Sequence, residues 1–387
     1  MGDAYIVDAV RTAGGRRGGR LSGLHANLLG AVVLDAIVAR TGLDPAAIED
    51  VVLGCVTQAG EQSMNVARNV VLASGLPPSV PAVSIDRQCG SSQQAVQFAA
   101  QAIMAGTQDI VIAAGVESMS RVPMGSATLP GTGAQPRAAS LLARFGVQGF
   151  SQFEGAEAIA RKYGFDRAAL DAFALESHRR AADAIDCGAF VREIVPVAVT
   201  KPDETEAVHN RDEGVRADAT AHGLAGLRPL AEGGMITAGN ASQICDGAAA
   251  VLLVSEAALK MHGLTPIARI ANLTVTGGDP VIMLEEPLFA TDKALRKAGL
   301  RIGDIDLYEI NEAFAPIPMA WARHLDADPA RLNVHGGAIA LGHPLGATGT
   351  KLMATLVHAL RARGGRYGLQ AMCEGGGMAN VTIVEAL

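Results

Sequence analysis

One cysteine stands in an unusual place. Cys89 lies in "DRQCGSSQQAVQFAAQAI" (86–103), after a charged and polar run and before small polar residues. Beyond it, apolar residues at 95, 96, 98, 99, 102 and 103 recur with helical spacing. The thiol is thus expected at, or just before, the first turn of a helix. Free backbone N–H groups and the helix dipole favour a thiolate there, and a thiolate is a nucleophile. The same position also suits a small buried residue at a strand-to-helix corner.

A thiol nucleophile needs a base beside it, and histidine is the usual one. "NVHGGAIALGHPLGATGTKLM" (333–353) places His343 among Gly342, Gly346 and Gly349, just ahead of a second helix. His335, eight residues earlier, competes for the role and equally suits a packing residue. In "QAMCEGGGMANVTIVEAL" (370–387), Cys373 ends an apolar strand and runs into three glycines. Their exposed N–H groups suit an oxyanion hole. In "YEINEAFAP" (308–316), Asn311 suits holding a water or a carbonyl oxygen, and Glu312 suits a cap or a partner of His343.

These residues need a scaffold. "AYIVDAV" (4–10), "DVVLGCV" (50–56) and "IVIAAGV" (110–116) read as buried strands, and "LHANLLGAVVLDAIVART" (24–41) as a helix. Their alternation implies an α/β fold with a mostly parallel, doubly covered sheet. From Met119 the texture becomes loop-like, then Asp166 caps a helix ending near Gly188. "KPDETEAVHNRDEGVRADAT" (201–220) is polar and charged, and "GAAAVLLVSEAAL" (247–259) returns to the core pattern. Residues 119–242 therefore read as an inserted, mostly surface-facing segment. Three pairs of similar segments, separated by 254 to 257 residues, point to two copies of one unit. Cys89 and His343 form one such pair, so equivalent helix N-termini would converge.

Composition narrows the class. With 49% hydrophobic and 18% charged residues, the 387-residue chain has material for a large core. A net charge of −7 argues against a nucleic-acid partner. The one basic run, "GGRRGGR" (14–20), reads as a turn-rich surface loop rather than an RNA-binding segment. The five cysteines form no C-x-x-C and no zinc-ligand spacing, which fits a reducing compartment. Asp3 and Asp8 interrupt any signal-peptide core, and no apolar run approaches a membrane span. A soluble, cytoplasmic protein is expected.

Taken together, "RQCGSSQQA", "GVESMSRVPM", "TAGNAS" (237–242), "NEAFA", "GGAIALGHPLGATG" and "CEGGG" resemble the thiolase family. The resemblance implies the thiolase fold: two similar βαβαβαββ halves in a five-layered α-β-α-β-α core with an inserted loop domain. The expected division is 1–118 with 243–264 for the first half, 119–242 for the loop domain, and 265–387 for the second half. It also implies roles. Cys89 would attack the keto carbon of a 3-ketoacyl-CoA and carry the acyl group, and His343 would take its proton. Cys373 would protonate the departing acetyl-CoA enolate. Asn311, through a water, and His343 would hold the enolate oxygen. The N–H groups of Cys89 and Gly375 would form a second oxyanion hole. Ser242, Arg216 and Phe314 would contact coenzyme A, a co-substrate rather than a resident cofactor, and no metal is implied. Partners would be 3-ketoacyl-CoA, CoA and acetyl-CoA, with a homodimer or homotetramer as the assembly.

Departures from the family pattern concern the substrate. "SQFEGAE" (151–157) stands where M-G-x-T-A-E is frequent, and "MLEEP" (283–287) replaces a turn of small residues. Both are expected on the acyl or pantetheine side. "GVESMS" and "CEGGG" look degradative, which favours a longer, branched or ring-derived ketoacyl group. The alternatives are a biosynthetic acetoacetyl-CoA thiolase, another condensing enzyme, a cysteine protease, or a non-catalytic acyl-CoA or lipid-binding protein on the same fold.

Overall fold

The computed structural model describes residues 2–128, 136–200 and 204–387. Residues 129–135 of the loop-like stretch and 201–203 of the polar stretch lie outside the described residues. Among the described residues the main sheet has eleven strands, two of them two-residue strands at its side, and nine form its continuous path: β1 (Ala4–Thr12), β2 (Asp50–Gly54), β3 (Ala82–Ile85), β4 (Ile110–Ser118), β5 (Cys245–Ser255), β6 (Ala268–Gly277), β7 (Leu307–Ile310), β8 (Tyr367–Glu374) and β9 (Met378–Ala386). Their spatial order is β7-β8-β9-β6-β1-β5-β4-β2-β3. The strands β1 and β6 meet antiparallel through Tyr5 and Arg269 and through Ile6 and Ala268. Outward from that seam the pattern repeats: β1-β5-β4-β2 on one side matches β6-β9-β8-β7 on the other. In each set the first two pairings are antiparallel and the last is parallel. The two copies expected from the sequence are therefore present. The sheet is mixed rather than mostly parallel, because β5 and β9 return antiparallel between the others.

Helices cover and separate the halves. These are α1 (Ala26–Thr41), α2 (Val66–Ala73), α3 (Ser91–Ala105), α4 (Gln152–Lys162), α5 (Arg167–Asp186), α6 (Glu286–Ala298), α7 (Pro316–Leu325) and α8 (Thr348–Ala362). The first two cover the outer face of the first half, where Leu29, Leu34 and Val70 pack with Ile112 and Leu252. On the outer face of the second half, α6 and α7 bury Leu288 and Trp321 against Ile310 and Ile383. Between the two halves of the sheet lie α3 and α8, where Val96 and Ile103 meet Leu356 and Val357. This gives five layers, α-β-α-β-α. Alternate residues of β4, Val111 and Ile112, enter different cores, so the strand is apolar on both faces. Burying one such aliphatic side chain contributes about 1.5–3 kcal/mol.

The middle helices are tied by polar groups too. Gln93 of α3 donates to the carbonyl of Gln370 at 3.1 Å and to Thr382 at 3.0 Å, both in the second half. Thr350 of α8 receives the hydroxyl of Ser92 as partner of its N–H at 3.0 Å. Each helix start is thereby fixed against the other half.

The segment 119–242 is less surface-facing than its composition implies. Asp166 does cap α5, its carboxylate accepting the N–H of Ala169 at 2.8 Å. However, Ile159 of α4 and Leu170 and Ala174 of α5 join the second-half core. Asp212, in the polar run, is buried and receives the Arg11 guanidinium of β1 at 2.8 and 3.1 Å. An internal ion pair is what lets so polar a stretch reach the centre.

Candidate active site

Cys89 occupies a sharp turn between β3 and α3. Its neighbour Gln88 has φ +47°, an uncommon value for a residue with a side chain. The Asp86 carboxylate holds that turn by accepting the Gln88 N–H at 2.7 Å. The α3 N-terminus has no side-chain cap, as a site for developing negative charge requires. The resting thiol is nevertheless not a thiolate. Burial, and then the nearby Glu374 carboxyl, push Cys89 up to about 12, against the help of backbone N–H groups. The backbone N–H groups favour the anion, as the helix start implies, and burial outweighs them in the resting thiol.

His343 lies in the turn before α8, and its backbone N–H is held by the Gln243 carbonyl at 3.0 Å. Its Nδ1 is 2.6 Å from the Thr348 hydroxyl, which itself donates to the Pro344 carbonyl at 2.9 Å. With its own hydrogen spent, Thr348 accepts from Nδ1–H. The free lone pair is therefore on Nε2, which lies 3.4 Å from Asn311 Nδ2. Burial, and then the Lys351 ammonium, hold His343 neutral, down to about 3. The buried Lys351 donates to the carbonyls of Leu341 and Gly342 and so pins the turn on its other side.

Asn311 directly follows β7, its N–H held by the Ala371 carbonyl of β8 at 3.1 Å. Its Oδ1 is buried and makes no hydrogen bond to a described residue. Glu312, beside it, does not reach His343. It accepts from Ser177 at 2.7 Å, Asn333 at 2.9 Å and the Ile339 N–H at 3.2 Å, and so braces the backbone. Thr348 takes the position expected of Glu312.

Cys373 is buried at the end of β8. Burial above all, and then the neighbouring Cys89 thiol, hold its pKa well above the ordinary thiol range. The loops that follow and precede them also touch. A side chain at Gly375 would meet the Gln88 amide oxygen at 2.9 Å, and Asn380 Nδ2 donates to the Gly90 carbonyl at 3.0 Å. Glu374 is fully buried between these turns, and both its oxygens lack a hydrogen bond to a described residue. Burial pushes it up to about 8.

A cleft of about 680 Å³ opens onto this cluster, lined by His343, Ser242, Phe314 and Arg216. Cys89 packs against Met119 and Leu345, which line the same cleft. Ser242 is positioned by its N–H to the Ala313 carbonyl at 2.9 Å. Phe314 meets Phe153 edge-on, with centroids 5.5 Å apart. Of the two departures from the family pattern, "SQFEGAE" does reach the cleft, through Gln152 and Phe153. "MLEEP" does not: Leu284 is buried in the core, and Glu285 binds Lys162 and the Tyr163 hydroxyl, each at 2.7 Å. His335 packs on Phe190 and lines a separate groove with Arg180 and Arg363.

Sequence reasoning missed Thr348 and Glu117. The Glu117 carboxylate accepts N–H groups from Val56, Thr57 and Gly346 at 2.8–3.0 Å, tying the turn after β2 to the His343 turn. A lone acid ending the apolar run "IVIAAGVES" was its only signal. Among the described residues no group of three or more His, Cys, Asp or Glu side chains is arranged to hold a metal ion. Nor, among them, is any helix long and apolar enough to cross a membrane.

Known proteins were compared with this arrangement. Residues 4–257 match the family described as thiolase, N-terminal domain, and residues 264–386 match thiolase, C-terminal domain. The steroid 3-ketoacyl-CoA thiolase FadA6 of Mycobacterium tuberculosis is 53% identical, over 100% of this chain and 95% of that protein. An acetyl-CoA acetyltransferase of Escherichia coli is 42% identical, covering 100% of both. The crystal structure of human mitochondrial 3-ketoacyl-CoA thiolase superposes with a TM-score of 0.90 at 37% identity, over 100% of this chain and 99% of that one.

Proposed function

This chain belongs to the thiolase family, and from that premise we propose that it cleaves a 3-ketoacyl-CoA with CoA, giving acetyl-CoA and a shortened acyl-CoA. The observation that carries the reading is the neutral His343, its Nδ1 committed to Thr348 and its Nε2 turned toward Asn311. That imidazole is a ready proton acceptor, and Cys89 packs with Leu345 of the same turn, which supports pairing the two.

The steps balance without an external acid or base. Cys89 Sγ bonds to the keto carbon as its proton passes to His343 Nε2. Collapse of the adduct breaks the C2–C3 bond and leaves the acyl group on Cys89 and an enolate of acetyl-CoA. Cys373 gives its proton to C2 of that enolate. Its high pKa suits it to do so only when a strong carbon base is present. The Cys373 thiolate then takes the proton of incoming CoA, whose sulfur attacks the Cys89 thioester. Cys89 leaves and recovers its proton from the His343 imidazolium. Developing charge on oxygen is met at two places. His343 serves one, with a water donating to the otherwise unmatched Asn311 Oδ1. The N–H groups of Cys89 and Gly375 serve the other, a reading supported by how closely the Gly375 turn approaches Gln88, the neighbour of Cys89.

The acyl group is large and apolar. Met124, Phe153, Leu230 and Ile244 line the cleft and are each between 38% and 50% exposed. Such a patch in a cleft marks a place for apolar ligand. The name of the most similar relative quoted above, a steroid 3-ketoacyl-CoA thiolase, supports the same choice. Ser242 and Phe314 hold the pantetheine arm in this reading, and Arg216 the nucleotide end. The division 1–118 with 243–264, 119–242 and 265–387 is kept, with a cytoplasmic homodimer or homotetramer as the working form. A panel of straight, branched and ring-bearing 3-ketoacyl-CoA substrates, assayed with CoA for acetyl-CoA release, tests it. Preference for acetoacetyl-CoA would instead favour the biosynthetic reading, and tight binding without turnover a binding protein.

A further inference from the structure

The basic run set aside as a surface loop enters the cleft. Gly15 and Arg16 pair with Asp246 and Cys245 of β5 as a short extra strand. The Gly18 N–H is held by the Ser120 hydroxyl at 2.9 Å. Glu213 accepts the N–H groups of Arg16 and Arg20, each at 3.1 Å. At Gly19 the loop folds closely on itself, since a Cβ would lie 2.8 Å from the Arg16 carbonyl oxygen and 2.3 Å from that carboxylate. The loop is therefore built, not loose, and it aims Arg16 and Arg17 at the cleft that holds His343, Ser242 and Arg216.

The side chains of Arg16, Arg17 and Arg216 make no hydrogen bond or ion pair with a described residue. Elsewhere guanidinium groups meet carboxylates, as in Arg11 with Glu193, Arg121 with Glu61 and Arg269 with Glu385. Two acids also line the cleft, but Glu213 is engaged by the loop backbone, leaving Asp218. A chain of net charge −7 thus gathers three unmatched guanidinium groups on one rim. Like charges so grouped repel unless an anion sits among them, and the planar guanidinium fork fits phosphate oxygens two at a time.

We propose that Arg16 and Arg17, acting with Arg216, clamp the phosphate-bearing nucleotide end of the CoA thioester. This rests on the thiolase reading for the reacting end and adds the residues that recognise the far end.

The test compares a 3-ketoacyl-CoA with the same acyl group on pantetheine, which lacks the nucleotide. In the full-length protein, the double variant Arg16→Gln, Arg17→Gln is expected to lower the kcat/KM ratio of CoA to pantetheine thioester about tenfold. Added salt is expected to erode the wild-type ratio more than the variant's. Arg17→Gln alone, which leaves the Arg16 guanidinium in place, is expected to give a smaller drop and serves if the double variant fails to fold. An unchanged ratio overturns the proposal, as does an equal loss on both thioesters, which marks a structural role. Failure of the wild type to turn over either thioester defeats the thiolase reading instead. Calorimetric binding of adenosine 3′,5′-bisphosphate, unaltered in Arg17→Gln, then overturns the clamp independently, and weakened binding supports it.

Discussion

At the scale of single residues, the site is a set of protons kept in place by burial. Cys89 and Cys373 hold theirs, and His343 is kept without one on Nε2. Thr348 decides which nitrogen is free, because its hydroxyl hydrogen is already given to Pro344. Thr348→Val therefore removes the acceptor for Nδ1–H but keeps the shape. Turnover is expected to fall about 10–100-fold, with KM little changed, as read by steady-state acetyl-CoA release. Glu374 offers a separate test through stability. Burial raises its folded-state pKa to about 8 from the ordinary 4.5. Below 4.5 both states hold the proton and the contribution is intact. Between the two values only the folded state holds it, so stability drains away as pH rises, by at most about 1.4 kcal/mol per pH unit. Glu374→Gln is expected to flatten that slope in urea melts between pH 5 and 8. An unchanged slope would show that Glu374 is charged throughout.

At the scale of elements, α3 and α8 start side by side and carry the two turns that hold Cys89 and His343. Their approach leaves no room at Gly349, where a Cβ would lie 2.0 Å from the Gln93 backbone nitrogen. Gly349→Ala is expected to cost roughly 2–4 kcal/mol in chemical denaturation. Gly303→Ala, where a Cβ meets nothing within 4 Å, is expected to be near neutral. This part of the molecule was legible in the sequence, since helical spacing after Cys89 and glycine density around His343 both reflect local constraints. The roles of Thr348, Glu117 and Glu312 were not, because each depends on which distant N–H or hydroxyl group arrives beside it. The opposing influences on Cys89 were equally hidden: the pattern around it shows a helix start, but not the burial and the Glu374 carboxyl that work against its anion.

At the scale of the whole molecule, one repeated unit is joined along β1 and β6, and the long insertion is moored back to the seam. Arg11 of β1 bonds Glu193 at 2.5 Å and Asp212 at 2.8 Å, all three buried. Removing one partner strands the charge of the other, so Asp212→Ala is expected to cost about 3–5 kcal/mol in thermal or urea unfolding. An effect below 1 kcal/mol, the size of an exposed pair, would show that the insertion is held by other contacts. Composition concealed this anchor, because a polar stretch reads as solvated until its charges are seen to be paired. The whole arrangement serves one covalent event, and that event is directly measurable. Mixing the protein with a 3-ketoacyl-CoA in the absence of CoA, then weighing the intact chain and mapping its peptides, is expected to show one acyl group on Cys89, discharged when CoA is added. Acetyl-CoA release that survives Cys89→Ala, or an acyl group carried on any other residue, would contradict the account.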